Sequence, residues 1–143
     1  MKIYKHTVLI VIIVSFLTAC IVGERASKID LTTKLKGEII RLTSPDGRTF
    51  RGEFLGFKGD YFVILPNTRV ALIHSSKLRK VELPDSKLDF RVSENGQLVA
   101  KGKSAAEVRS ELLTHSRYPQ DIDDDLLKIL LEAYDQDEAL ILE

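Results

Sequence analysis

Oxygen ligands at set spacing are the first candidate chemistry in this chain. Asp121-Ile122-Asp123-Asp124-Asp125, with Glu132 eleven positions after Asp121, puts such ligands at the first, third, fifth and twelfth places of an EF-hand-like loop. The sixth place, which must turn sharply and wants glycine, is Leu126, and Leu127-Lys128-Ile129-Leu130-Leu131 has helical periodicity. The aspartates therefore read as the cap and charged first turn of a helix, each favoured by about 0.3–1 kcal/mol through the helix dipole. His74 and His115 fall on different expected elements, away from the close Cys, Asp or Glu clusters that hold metals. Ser75 and Ser76 lie beside His74, but adjacency in sequence is not a triad, and no Gly-x-Ser-x-Gly elbow occurs. A pair of carboxylates for glycan cleavage stays open, because any two of many acids could meet in space. The expectation is a non-enzyme with no catalytic residue, no metal and no cofactor.

Charge supplies the next candidates. The 143 residues are formally neutral, but the neutrality is uneven. Residues 24–119 carry 18 basic and 12 acidic side chains, whereas residues 120–143 carry one and nine. Arg41, Arg48, Arg51, Lys58, Arg69, Lys77, Arg79 and Lys80 crowd one stretch. They fit a solvated sheet face, an anionic membrane or glycan surface, or an acidic protein partner. The chain's own acidic end, Asp121 to Glu143, is a further partner for them.

Cys20 is the only cysteine, so no disulfide within the chain can support the fold and a packed core must do so. With hydrophobic residues at 44% and charged residues at 29%, the composition is that of one ordinary globular domain. Upstream of the cysteine, Met-Lys-Ile-Tyr-Lys-His is a short basic start, and Thr7 to Leu17 is almost uninterrupted apolar sequence. About eleven residues at 1.5 Å each cover roughly half of a bilayer core, the length of a signal-peptide core and not of a transmembrane helix.

The run ends on Leu17-Thr18-Ala19-Cys20, which resembles the lipobox of bacterial lipoproteins. That resemblance implies a diacylglyceryl group on the Cys20 thiol, removal of residues 1–19, and a membrane partner held through lipid. Two or more acyl chains make such anchoring stable. Ile21 follows the cysteine where aspartate is the usual inner-membrane retention signal, so the resemblance favours the outer membrane in a Gram-negative organism. Export also argues against a nucleic-acid partner for the basic residues.

The remaining elements must position whatever the domain presents. Residues 20–33 read as the lipidated N-terminus and a tether. Residues 34–83 read as five short strands: Lys36–Thr43, Arg48–Phe57, Tyr61–Leu65, Arg69–His74 and Leu78–Leu83. Ser44-Pro45-Asp46-Gly47 is a strong turn between the first two, and Ser75-Ser76-Lys77 suits one 3₁₀ turn. Gly52 and Gly56 inside the long second strand mark a bulge or bend. The segment Thr49–Phe57 followed by Tyr61–Leu65 resembles an SH3-like or Sm-like small barrel. The polar Asn and the Arg-Gly pair of Sm-like RNA pockets are replaced here by Asp60-Tyr61-Phe62 and Ser76-Lys77-Leu78, so the RNA pocket does not carry over.

Residues 84–143 read as a hairpin and two helices packed with the barrel as one domain. Leu88–Val92 and Gln97–Ala100 flank an Asn95-Gly96 turn. Ser104-Ala105-Ala106-Glu107 is a capping box opening a helix from Ala105 to about Ser116, with Ala105, Val108, Leu112 and Leu113 inward. A second helix runs from about Asp123 to Tyr134 and buries Leu127, Leu130, Leu131 and Tyr134, and Ala139–Leu142 either extends it or adds a strand. The fold class expected is α+β, a small SH3-like barrel followed by a hairpin and two helices. The expected role is a membrane-anchored envelope module that binds or assembles without catalysis, with an envelope protein as partner. Arg51, Lys58, Tyr61, Arg69, Leu127 and Leu131 are its candidate interaction surface. A peptidoglycan-binding module using Tyr61 and an envelope hydrolase are the alternatives.

Overall fold

The computed structural model describes residues 36–143, which belong to one compact unit. Cys20, the leader and the tether lie outside the described residues. Eight strands form a single mixed sheet: β1 (Ile39–Thr43), β2 (Thr49–Lys58), β3 (Tyr61–Leu65), β4 (Ala71–His74), β5 (Lys80–Leu83), β6 (Leu88–Val92), β7 (Leu98–Val99) and β8 (Leu140–Leu142). Two helices, α1 (Ala105–Leu113) and α2 (Asp124–Ala133), lie between β7 and β8 in the chain. Across the sheet the order is β7-β6-β5-β1-β2-β3-β4-β8.

The α+β class is therefore as expected, but the sheet is not closed into a barrel. Closure would require β4 and β5 to meet edge to edge. Each already has a neighbour on that side: β6 pairs antiparallel with β5, and β8 pairs parallel with β4. The Asn95-Gly96 hairpin and the last apolar patch thus occupy the edges that a barrel would join.

The bend in β2 explains how so small a sheet builds two cores. Between β2 and β3 the register passes from Phe54↔Ile64 to Gly56↔Val63, leaving Leu55 as an extra residue. One inserted residue inverts the alternation beyond it. Phe54 and Phe57, an odd number of positions apart, consequently face the same side with ring centroids at 5.3 Å. They join Phe62, Ile40, Leu42, Val81, Phe90 and the buried Val108 and Leu112 of α1 in the inner core. On the outer face Leu55, Val63, Leu65 and Leu72 pack with Ile122 and Leu130.

Gly56 has φ +150°, and a Cβ on it would lie 2.9 Å from the Tyr118 carbonyl oxygen, so glycine is required where the inter-helix segment crosses β2. That segment docks through its backbone. Arg117, Tyr118 and Ile122 donate N–H bonds to the carbonyls of Phe54, Leu55 and Phe57 at 3.0, 2.9 and 2.7 Å.

Both helices start where their caps dictate. Ser104 accepts from the Glu107 N–H and the Glu107 carboxylate accepts from the Ser104 N–H, while Asp123 accepts from the Leu126 N–H. α1 stops at Leu113, short of the expected Ser116, because the following groups are taken by other partners. The Ser116 hydroxyl donates to the Leu113 and Tyr118 carbonyls, and the His115 carbonyl accepts the Glu38 N–H. Ala105, expected inward, is exposed at the first turn. The first strand begins at Ile39 instead of Lys36, since Gly37 is already pressed against the Phe54 carbonyl and the Arg117 backbone.

Candidate functional site

A cleft opens at one end of the inner face, between α1, the β2–β3 turn and the tip of the β6–β7 hairpin. Its apolar lining is Phe57, Phe62, Leu98, Ala105 and Ala106, and its volume is about 190 Å³. Asp60, Ser75, Gln97 and Arg109 supply the polar part of the wall. The bulge aims Phe57 into this space, and the φ of +81° at Gly96 brings the hairpin tip against Ser75 and Ser76. Arg109 stacks its guanidinium over the Phe57 ring, 4.0 Å from the centroid, and ties one N–H to Asp121 at 2.7 Å. Such stacking holds a cation in place while leaving its remaining edge free to donate.

The strongest polar clusters elsewhere hold the fold together. Glu53 is 6% exposed and takes both Nε and Nη2 of Arg117, at 2.8 and 2.7 Å, together with the Gly37 N–H at 2.7 Å. Burial alone would push the Arg117 guanidinium down; hydrogen bonds to Glu53 and Tyr134, with the Glu53 charge, outweigh it and hold the group above its ordinary value.

Glu38, His115 and Ser86 also meet. The Ser86 hydroxyl donates to Glu38 at 2.7–2.9 Å, and His115 Nδ1 lies 2.8 Å from the same carboxylate. A serine nucleophile needs its hydroxyl on the imidazole, with the acid on the far ring nitrogen. Here hydroxyl and Nδ1 converge on one carboxylate, which braces β1 against α1 and the β5–β6 turn. His74 Nδ1 accepts the Ser76 N–H at 3.2 Å and caps the 3₁₀ turn, so its pairing with Ser76 is structural. Among the described residues no group of three His, Cys, Asp or Glu is placed to hold a metal.

The candidate surface residues do not form one patch. Arg51 is exposed on the outer face of β2 and Arg69 is exposed in the loop before β4. Lys58 is bound to Asp124 at the start of α2, and this ammonium draws the Asp124 carboxyl below its ordinary value. Tyr61, 36% exposed, sets its ring edge-on to His74 at 4.9 Å. Leu127 and Leu131 are half-buried against the outer core, and the exposed large apolar residue of α2 is Ile129. The acidic end does fold back on the sheet, though mainly through apolar packing, with Lys58–Asp124 and Arg109–Asp121 as its ion pairs to the rest of the domain.

The cleft itself was not legible in the sequence. Its wall comes from four separate stretches, and the one local signal was Asn95-Gly96, which announced a turn but not what the turn would face. No family model, no curated protein and no solved structure matches this chain.

Proposed function

We propose that the chain is a lipid-anchored protein of the bacterial envelope that binds a protein partner, and that the cleft beside Phe57 and Arg109 receives one side chain of that partner. Anchoring is supported by Leu17-Thr18-Ala19-Cys20 at the end of the apolar run. The observation that carries the binding role is a contrast in how polar groups are used. Glu53, Arg117, Glu38, His115 and Ser86 are spent on one another, whereas Asp60, Ser75 and Gln97, which line the cleft beside its apolar residues, have no side-chain partner among the described residues. An apolar pocket with a few converging polar groups is the usual form of a binding site.

Size chooses the class of occupant. At about 190 Å³ the cleft is below the ~300 Å³ at which drug-sized ligands begin. It suits a single anchoring side chain, the kind of contact that dominates protein interfaces.

The order β5-β1-β2-β3-β4, with its bent second strand and its 3₁₀ turn, supports reading the first five strands as an opened SH3-like module. That leaves the peptidoglycan-binding alternative a specific surface, Tyr61.

The test is photocrosslinking in living cells from Gln97, on the cleft wall, and from Lys128, on the exposed side of α2. A recurrent protein adduct from Gln97, absent from Lys128 and lost when Ala106→Phe fills the cleft, is expected. Adducts to glycan alone, or equal yields from both positions, would replace this reading with the cell-wall one. Mass spectrometry of the intact protein reads the anchor in the same cells, and Cys20→Ser should abolish the added lipid mass.

A further inference from the structure

The outer face of the sheet is divided. Among the described residues, α2 and the inter-helix segment cover the part over β2, β3 and β4 and pack no element on the part formed by β1, β5, β6 and the start of β2, where Thr43 alone of the outward side chains is buried. Register places the outward side chains of that open part in two rows: Arg51–Arg41–Glu82–Asp89, and Thr49–Thr43–Lys80–Arg91–Val99. Two cross-strand pairs on this face are cation against cation, Arg41 opposite Arg51 and Lys80 opposite Arg91.

Like charges directly opposite in a sheet are destabilising. The acids on the face form ion pairs with only one of these four, Lys80, although Glu82 also stands opposite Arg41 in the register. Lys80 bonds Glu82 at 3.1 Å and lies 3.6 Å from Asp89, and the Glu82 hydrogen bond holds its ammonium above the ordinary value. Arg41, Arg51 and Arg91, with Arg79 beside Lys80 and Arg91, form no ion pair among the described residues.

We propose that this face lies on the anionic phospholipid headgroups of the membrane that holds the protein. Two further observations favour a bilayer over another polyanion. Lys36, where the described chain begins, lines a shallow outer groove together with Arg51 and Asn67, so the first described residue lies at the edge of the cationic face. Lys36 is sixteen positions after Cys20, a contour of at most about 55 Å, so a lipid on Cys20 confines the domain to the neighbourhood of headgroups. The face needs no hydrophobic insertion to work, since arginine forks pair with phosphate oxygens in two-point contacts. The proposal rests on the anchored reading for proximity, but not for the charge of the face.

The chain contains no tryptophan, so a single substitution gives a unique optical probe. Val99, exposed in the row with Arg91, reports on the face, and Ile129, exposed on α2, is the control. The purified full chain is mixed with vesicles of phosphatidylcholine alone, or of phosphatidylethanolamine with phosphatidylglycerol, each containing brominated lipid, and is then floated.

With Val99→Trp we expect flotation on both vesicles, with indole quenching only on the anionic ones. Quenching should fade in high salt and weaken about fivefold for each charge removed by Arg41→Gln or Arg91→Gln. Equal quenching on both lipids, or quenching of Ile129→Trp in place of Val99→Trp, overturns the proposal. Flotation on anionic vesicles alone keeps the face and discards the anchor; flotation on neither discards both.

Discussion

Replacing Glu53 by alanine should cost more than any other single polar change in the domain. Its carboxylate accepts three bonds of 2.7–2.8 Å from Arg117 and the Gly37 backbone while being almost fully removed from water. The change would strand the Arg117 side chain, itself only 19% exposed, with the Tyr134 hydroxyl at 3.2 Å as its remaining neighbour. Breaking a buried pair from one side costs about 3–5 kcal/mol, and the partial exposure of Arg117 argues for the lower end, about 3 kcal/mol. At roughly 5 °C per kcal/mol for a domain of this size, the thermal midpoint should fall by about 15 °C. Removing both charges as Glu53→Leu with Arg117→Met should cost less than either single change, about 1–2 kcal/mol, mostly from the Gly37 N–H left without its acceptor. Urea denaturation of the unsubstituted protein, Glu53→Leu, Arg117→Met and the double variant, followed by circular dichroism, measures the coupling directly, with Glu53→Ala read alongside. A loss below about 1 kcal/mol for Glu53→Ala, or simple addition of the two single changes, would refute the claim that this pair clamps the inter-helix segment onto β2.

Three other outcomes follow from local geometry. The Ser44 hydroxyl, then the Arg48 backbone and side chain, bring the exposed Asp46 carboxyl down from 3.8 to about 2, so its contribution to stability is complete above about 3.8 and is lost as pH falls through 2. Carbon-detected NMR titration should show this, with Ser44→Ala moving the value upward. Gly56→Ala should cost about 2 kcal/mol or more because of its φ and the Tyr118 carbonyl, whereas Gly59→Ala, with φ +55° but open space around it, should cost about 1, both read from urea midpoints. Leu130→Ala, at 3% exposure, should cost about 2–5 kcal/mol, while Ile129→Ala, at 58%, should stay within about 0.5 in the same assay.

What the sequence disclosed was mostly local. The Ser104 capping box, the Asp123 cap, the Asn95-Gly96 turn and the Gly56 bend each announce themselves within a few residues, and the structure has all four. Asp123, Asp124 and Asp125 of the EF-hand-like spacing cap and open a helix, as Leu126 at the sixth place required, while Asp121 pairs with Arg109. What stayed hidden depends on partners far apart in the chain. β8 is a three-residue strand whose identity comes only from lying parallel to β4, where Gln136 also reaches Val70 across 66 positions. No local pattern distinguishes that from one more helical turn. Arg117 stands where the periodicity expected the fraying end of α1, and its partner Glu53 is 64 positions away. The barrel was expected because five strands and a bend resemble one, but only the strands added later in the chain decide whether the free edges meet.

The two surfaces proposed here constrain each other, because they lie on opposite faces of one sheet. Phe57, Phe62 and Leu98 point inward to the cleft, while Arg41, Arg51 and Arg91 point outward. If the outward face rests on headgroups, the cleft is turned from the bilayer toward the space where a partner is found. Covering the open half of the outer face would have required an apolar stripe there to bury against a third helix. The rows carry arginine, lysine, threonine and acid instead, with Val99 the one apolar side chain in them, which suits water or an anionic surface. A helix packed over Arg41 and Arg51 would bury two like charges, at a penalty of several kcal/mol for each. The same pair beside phosphate oxygens is neutralised, and its mutual repulsion becomes attraction to a common counter-charge. In the proposed docked state, the arrangement that costs stability in free solution favours binding, and the orientation leaves the cleft accessible.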